Sequence, residues 1–213
     1  MLMGLVYDKT CPENIQCSTC PYDQLIEETL GTHPALPARR GYNQKEVISG
    51  PFTYDPSCSY CENHTWVRRA GKVCLVGVDH FTTCLLPPLD SISVDNRRII
   101  LTAGDTVLSL DMPIEGELLR VNPQLEAVPR LTAYSPYQRG WVAILETDTD
   151  LSLLRKGSEA IRWFDSETQR LYEKNLFGDS GLNRGKIAQS WDAVVEGFFS
   201  NRETECSTKQ EHL

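Results

Sequence analysis

The residues best suited to chemistry are cysteines. Cys17-Ser18-Thr19-Cys20 and Cys58-Ser59-Tyr60-Cys61 are two CxxC pairs. Gathered on two knuckle-like turns, their four thiolates would form a tetrahedral S4 site for zinc or an iron–sulfur cluster, because soft thiolates select those centres. Cys11 is a fifth candidate, and the spacing of Cys11, Cys17 and Cys20 suits three cluster ligands on one loop. Two other readings stay open: unrelated free thiols, or a separate redox disulfide in each pair. Thioredoxin-like activity is disfavoured, since neither pair lies at the strand-to-helix turn of a βαβ unit.

The other candidates have less around them. Cys74 lies in an alternating apolar run and reads as a small buried hydrophobe. Cys84 follows His80 by four residues, so a Cys/His pair forms if that stretch is helical. His64, three residues after Cys61, either replaces a cysteine in a Cys3His site or satisfies a strand-end carbonyl. His33 has no partner in view, and Cys206 sits in a polar tail. The run Gly181 to Ile187 has the wrong glycine spacing for a phosphate loop, and Ile187 stands where a hydroxyl must hold magnesium. Asp148 and Asp150 read as solvated or capping acids.

Composition limits what these residues can serve. The 213 residues are 40% hydrophobic, enough for a real core, and their net charge is -8 with 21 basic residues against 29 acidic. Basic residues cluster no further than pairs such as Arg39-Arg40, Arg68-Arg69 and Arg97-Arg98, so no nucleic-acid or anionic-membrane partner is expected. No stretch approaches the roughly 18 apolar residues of a spanning helix, and Met1 to Val6 lacks the form of a signal peptide. A cytoplasmic protein is expected, and in a reducing compartment eight cysteines favour metal or thiol chemistry over structural disulfides.

The elements that must position these groups fall into zones. Residues 1–62 form a Cys-rich leader with five of the eight cysteines, several prolines and one short helix over Asp23 to Leu30. Its apolar periodicity is too weak for folding by burial alone, so a metal would be a sensible staple. Residues 63–150 read as short strands at 65–68, 73–78, 91–94, 98–101, 107–110, 116–121 and 140–145, punctuated by Gly and Pro, which suits a sandwich or barrel. Residues 151–200 switch to a helical period, with Leu154, Ile161, Phe164 and Leu171 on one face. A second stripe holds Trp191, Val194, Val195, Phe198 and Phe199 across a Gly-rich linker, Gly178 to Gly185. That second helix packs back on the β domain or docks a partner. Residues 201–213 read as a disordered tail.

The β zone also carries a series of motifs: His64-Thr65-Trp66-Val67, Val76 to Phe81, Pro113 to Asn122 and Ser135 to Trp141. In order and spacing they resemble the H protein of the glycine cleavage system, a lipoyl-domain relative, over approximately residues 63–148. The resemblance implies a mainly β, barrel-sandwich hybrid fold, with Pro113 and Gly116 bracketing a turn and Pro136 stopping a strand. It also implies chemistry on one lysine, which carries lipoate on an exposed hairpin a few residues ahead of the Pro113 turn. From Arg97 to Met112 there is no lysine, and the segment from Gly104 to Pro113 looks short for the full hairpin. Lys72 is the nearest lysine of the β zone, and arginine cannot serve, because its guanidinium stays protonated and is no acyl acceptor.

With the leader Cys17 to Asp23 and the helix start Leu153 to Trp163, the chain is similar to a bacterial branch of H-like proteins without that lysine. The expectation is a non-enzymatic accessory or scaffold protein that binds no lipoate and docks to enzymes of a lipoate- or redox-linked complex. Two alternatives remain: a divergent H protein acting as an aminomethyl carrier, and an iron–sulfur electron-transfer protein.

Overall fold

Tight turns set the strand pairing. The computed structural model describes residues 47–49, 51–178 and 181–200. Asn96 and Arg97 both take positive φ, at 43° and 64°, which is the geometry a two-residue hairpin needs to match strand twist. Gly104, at φ 58°, opens the next hairpin and is followed by Asp105. These two turns join β6 (Ser91–Asp95), β7 (Arg98–Ala103) and β8 (Thr106–Asp111) into a three-stranded antiparallel sheet.

A five-stranded antiparallel sheet forms from β3 (Ser59–Tyr60), β4 (Thr65–Ala70), β5 (Val73–Val78), β10 (Trp141–Glu146) and β9 (Glu117–Val121), in that spatial order. Two small hairpins accompany it: β1 (Val47–Ser49) with β2 (Phe52–Tyr54), and β11 (Phe177–Gly178) with β12 (Gly181–Leu182). The helices are α1 (His80–Leu85), α2 (Gln124–Ala127), α3 (Leu131–Tyr134), α4 (Ser158–Glu173), α5 (Arg184–Gln189) and α6 (Trp191–Val194). The last runs into a π turn at Val195–Phe199. Among the described residues no helix is long and apolar enough to cross a membrane.

Burial follows this layout. The three-stranded sheet buries one face, through Ile99, Leu101, Ala103, Leu108 and Leu110. Strand β5 is buried on both faces from Cys74 to Val78, so its sheet is covered on each side. Trp66 lies flat against Gly77, where an added Cβ would come within 2.5 Å of the indole, and its Nε1 donates to the Val78 carbonyl at 3.0 Å. The chain is mainly β with antiparallel sheets and a few C-terminal helices, and two such sheets agree with a barrel-sandwich hybrid.

The seven expected strands form β4 to β10, each within two residues of its expected ends. Other details differ. The leader boundary at residue 62 is not a structural one, because Ser59–Tyr60 pairs with β4 and residues 47–62 belong to the same compact unit as the sheets. Phe52, Tyr54 and Tyr60 are core residues. Pro136 follows α3 rather than ending a strand. Ile161 is 36% exposed on α4, and Trp163 takes the core position instead, beside Phe164 and Leu171. The Gly-rich linker carries a hairpin and a helix whose N-cap, Asn183, accepts from the Lys186 amide. The helix expected over Asp23 to Leu30 and the tail 201–213 lie outside the described residues.

Candidate functional site

The stretch expected to carry an arm is the β7–β8 hairpin. Ala103 pairs with Thr106, so the tip is Gly104 and Asp105, both exposed, and the Asp90 carboxylate accepts from the Gly104 amide at 2.6 Å. The segment from Gly104 to Pro113 holds only this turn and strand β8. Beside the tip lies a groove of about 490 Å³. Asp105 and Val107 form one wall, and Trp191, Asp192, Val195 and Glu196 of the C-terminal turn form the other. Lys72, the other candidate, sits on the β4–β5 turn, 3.5 Å from Asp148.

A second cluster is buried where the C-terminal helices meet the β region. His64 closes a turn in which its amide donates to the Cys61 carbonyl at 3.1 Å, and it holds a left-handed φ of 64°. That conformation is costly for a non-glycine residue, and its neighbours sustain it. Asn63 accepts from Thr65 through both amide and hydroxyl, and the Asp79 amide donates to the His64 carbonyl at 3.0 Å. The imidazole is fully buried, with Nδ1 2.8 Å from Asp79 Oδ2. The expected partner was a strand-end carbonyl; it is a carboxylate.

Asp79 also caps α1, accepting from the amide and the hydroxyl of Thr82. Asp is a favoured N-cap residue, the one local signal that could have marked this helix start. Nε2 of His64 makes no hydrogen bond among the described residues and lies 3.9 Å from Glu167 Oε2 on α4. The ring stacks on Phe81 at 4.1 Å and meets Trp163 at 4.6 Å and Phe199 at 5.5 Å. Glu167 pairs with Arg170, which donates to the Gly197 carbonyl and lies over the Phe198 ring. Nothing in the sequence pattern joined these residues, because they come from distant segments.

His80 and Cys84 do share one face of α1, with Sγ 3.2 Å from Nε2. The Thr53 amide donates to His80 Nδ1 at 3.0 Å, so Nδ1 is the acceptor and the neutral ring carries its proton on Nε2, facing the sulfur. In that tautomer the imidazole cannot take the thiol proton. Burial pushes the Cys84 thiol up to about 11, despite the favourable field of Arg184. The pair is a protonated thiol beside a neutral ring, without the features of a catalytic nucleophile.

Of the proposed S4 site, Cys58 and Cys61 are described, and Cys11, Cys17 and Cys20 lie outside the described residues, as do His33 and Cys206. Cys58 and Cys61 flank strand β3 rather than sitting on a knuckle-like turn. Cys58 is fully buried, 3.7 Å from an Arg68 amino group, and desolvation pushes its thiol up to about 12 against the lowering effect of that guanidinium. Arg68 also donates to Asp55 and to the Tyr137 carbonyl. Among the described residues no group of three or more His, Cys, Asp or Glu side chains could hold a metal ion. Cys74 is fully buried, as expected of a small core hydrophobe.

Two antiparallel sheets, an exposed hairpin just ahead of a Pro-Gly bend, and a buried His-x-Trp strand define an H-protein-like module. Residues 58–161 match the family model described as "Glycine cleavage H-protein", and over those residues the chain is H-protein-like. A glycine cleavage system H protein of Bacteroides fragilis is 26% identical over 123 residues, which cover 52% of this chain and 98% of that protein. One from Bacillus pumilus is 29% identical over 96 residues, covering 41% of this chain and 76% of the relative. A crystal structure of the H protein from Mycobacterium marinum aligns with a TM-score of 0.46 at 18% identity, over 53% of this chain and 99% of that one.

Proposed function

We propose that the protein is a non-enzymatic accessory member of the H-protein family, which keeps the β module of a carrier without its swinging arm. It would dock to enzymes of a lipoate- or redox-linked complex. The observation that carries this reading is the hairpin tip. The family resemblance calls for a lysine a few residues ahead of the Pro113 turn; no lysine occurs from Arg97 to Met112, and the exposed tip in that stretch is Gly104-Asp105. A carboxylate has no nucleophilic nitrogen with which to form the lipoyl amide. The neighbouring C-terminal turn adds Asp192 and Glu196 beside the same tip.

The test is the intact mass of the chain after expression with a lipoate ligase and free lipoate. The wild-type mass should stay unmodified, while Asp105→Lys, which restores an amine at the tip, should gain one lipoyl group. A lipoyl adduct on the wild-type chain, at Lys72 or elsewhere, overturns the reading in favour of a divergent carrier.

A further inference from the structure

The groove beside the hairpin tip combines apolar surface with unanswered charge. Its apolar members are Val107, 58% exposed on β8, and the half-buried Trp191 and Val195 of the C-terminal turn. Of the four tryptophans, Trp66, Trp141 and Trp163 belong to the core, and Trp191 is the one that stays partly in water. Around these residues stand Asp105, Asp192 and Glu196, all exposed, and no basic residue lines the groove. No side chain among the described residues pairs with the three carboxylates. Other surface acids are answered: Glu115 by Arg97, Asp111 by Arg98 and Asp148 by Lys72. Asp192 and Glu196 also lie four residues apart, a spacing at which like charges repel along a helical turn. The negative field they share with Asp105 is complementary to a cation.

The apolar members indicate which cation. A guanidinium is weakly hydrated, stacks on an indole face and pairs with carboxylates at its edges, while its methylene stem covers apolar surface. A metal ion would use the carboxylates alone and leave Trp191, Val107 and Val195 in water. An apolar centre ringed by charge is also the anatomy of a protein interface. Building on the reading above that the chain docks to partner enzymes, we propose that this groove receives an arginine-bearing segment of a partner protein. The guanidinium sits over Trp191 and among the three carboxylates.

The probe is the blocked peptide acetyl-Gly-Arg-Ala-Arg-Gly-amide, titrated into the full chain while nuclear magnetic resonance follows the indole N–H signals of the four tryptophans. The Trp191 signal should shift saturably while the three core indoles stay in place. The same peptide with citrulline for arginine, nearly isosteric but neutral, should give no shift. Replacing the three acids together, by Asp105→Asn, Asp192→Asn and Glu196→Gln, should raise the dissociation constant about tenfold. A control carrying Asp95→Asn, Glu126→Gln and Asp148→Asn removes the same charge from exposed positions outside the groove and should bind as the wild type does. All six side chains are exposed, so circular dichroism should report unchanged folding in both variants. A Trp191 signal that does not move at the highest peptide concentration overturns the proposal. So does equal binding of the citrulline peptide, and so does a comparable loss in the control, which would reduce the effect to net charge. A Trp191 indole N–H that resists hydrogen exchange in the free protein also overturns it, by placing the chain's own residues in the groove. A lipoyl adduct on the wild-type chain would instead refute the accessory reading, so the two failures are told apart.

Discussion

Burial moves the two members of the α1 pair in opposite directions on the pH scale. For His80, desolvation is the main cause and outweighs the raising field of Asp79, so its folded value lies below the ordinary one. The unfolded chain therefore takes the proton more readily. Its stability contribution is intact above about pH 6.5 and is lost as pH falls below that towards the depressed folded value. Urea midpoints measured from pH 8 down to pH 5 should fall further in the wild type than in His80→Gln; parallel curves would refute this. Cys84, pushed up to about 11, should react with iodoacetamide at pH 8 about tenfold more slowly than an ordinary cysteine. The lost thiolate fraction outweighs the greater nucleophilicity of a more basic sulfur. Peptide mapping after a timed alkylation measures this directly. At His64, substitution by Ala takes the buried imidazole donor from Asp79 Oδ2, leaving only the Thr82 bonds to Oδ1, and should cost about 2–3 kcal/mol in chemical denaturation, more than most surface changes.

At the scale of elements, the strands were legible because their signal is local. Alternation from Arg98 to Leu110 and the β-branched run in β5 specify pleated, half-buried or fully buried segments with little outside help. The helices were less legible. Helix α1 is short, and its apolar residues continue those of β5, so periodicity alone could not separate them. On the final helix the regular spacing of Trp191, Val194, Val195, Phe198 and Phe199 predicts an α-helix, yet the chain widens to a π turn in which the Ser200 amide donates to the Val195 carbonyl. The widened turn accompanies the burial of Phe198 and Phe199, whose contacts with Phe81 and His64 are tertiary and leave no trace in the local pattern. The candidate site divides in the same way. That residues 97–112 contain no lysine is readable from one segment, whereas Glu167 and Trp163 join His64 only through folding. Close packing between strands makes its own prediction. Gly77→Ala would set a Cβ 2.5 Å from the Trp66 indole, so either the ring or the strand must shift, at a cost of about 2–3 kcal/mol. A denaturation midpoint equal to the wild type would show that the indole moves freely.

For the whole molecule, the question is whether the C-terminal helices are an appendage or part of the core. The family match ends at residue 161, and the side chains that cover His64 and Phe81 come from beyond it: Trp163, Phe198 and Phe199. Tyr60 and Tyr54, from before β4, meet Phe164 at 5.1 Å and 5.7 Å. Aromatic packing therefore runs unbroken from β2 through α1 to the last turn, and no surface separates a finished β domain from an added helical layer. Such a core should unfold as a unit. Phe199→Ala removes a ring that is 4% exposed and should cost about 3–4 kcal/mol. The cost should appear equally in tryptophan fluorescence and in far-ultraviolet circular dichroism, with coincident transitions in both wild type and variant. If the helical signal is lost first while the fluorescence transition stays at its wild-type midpoint, the extension folds separately and the aromatic continuity carries no cooperativity.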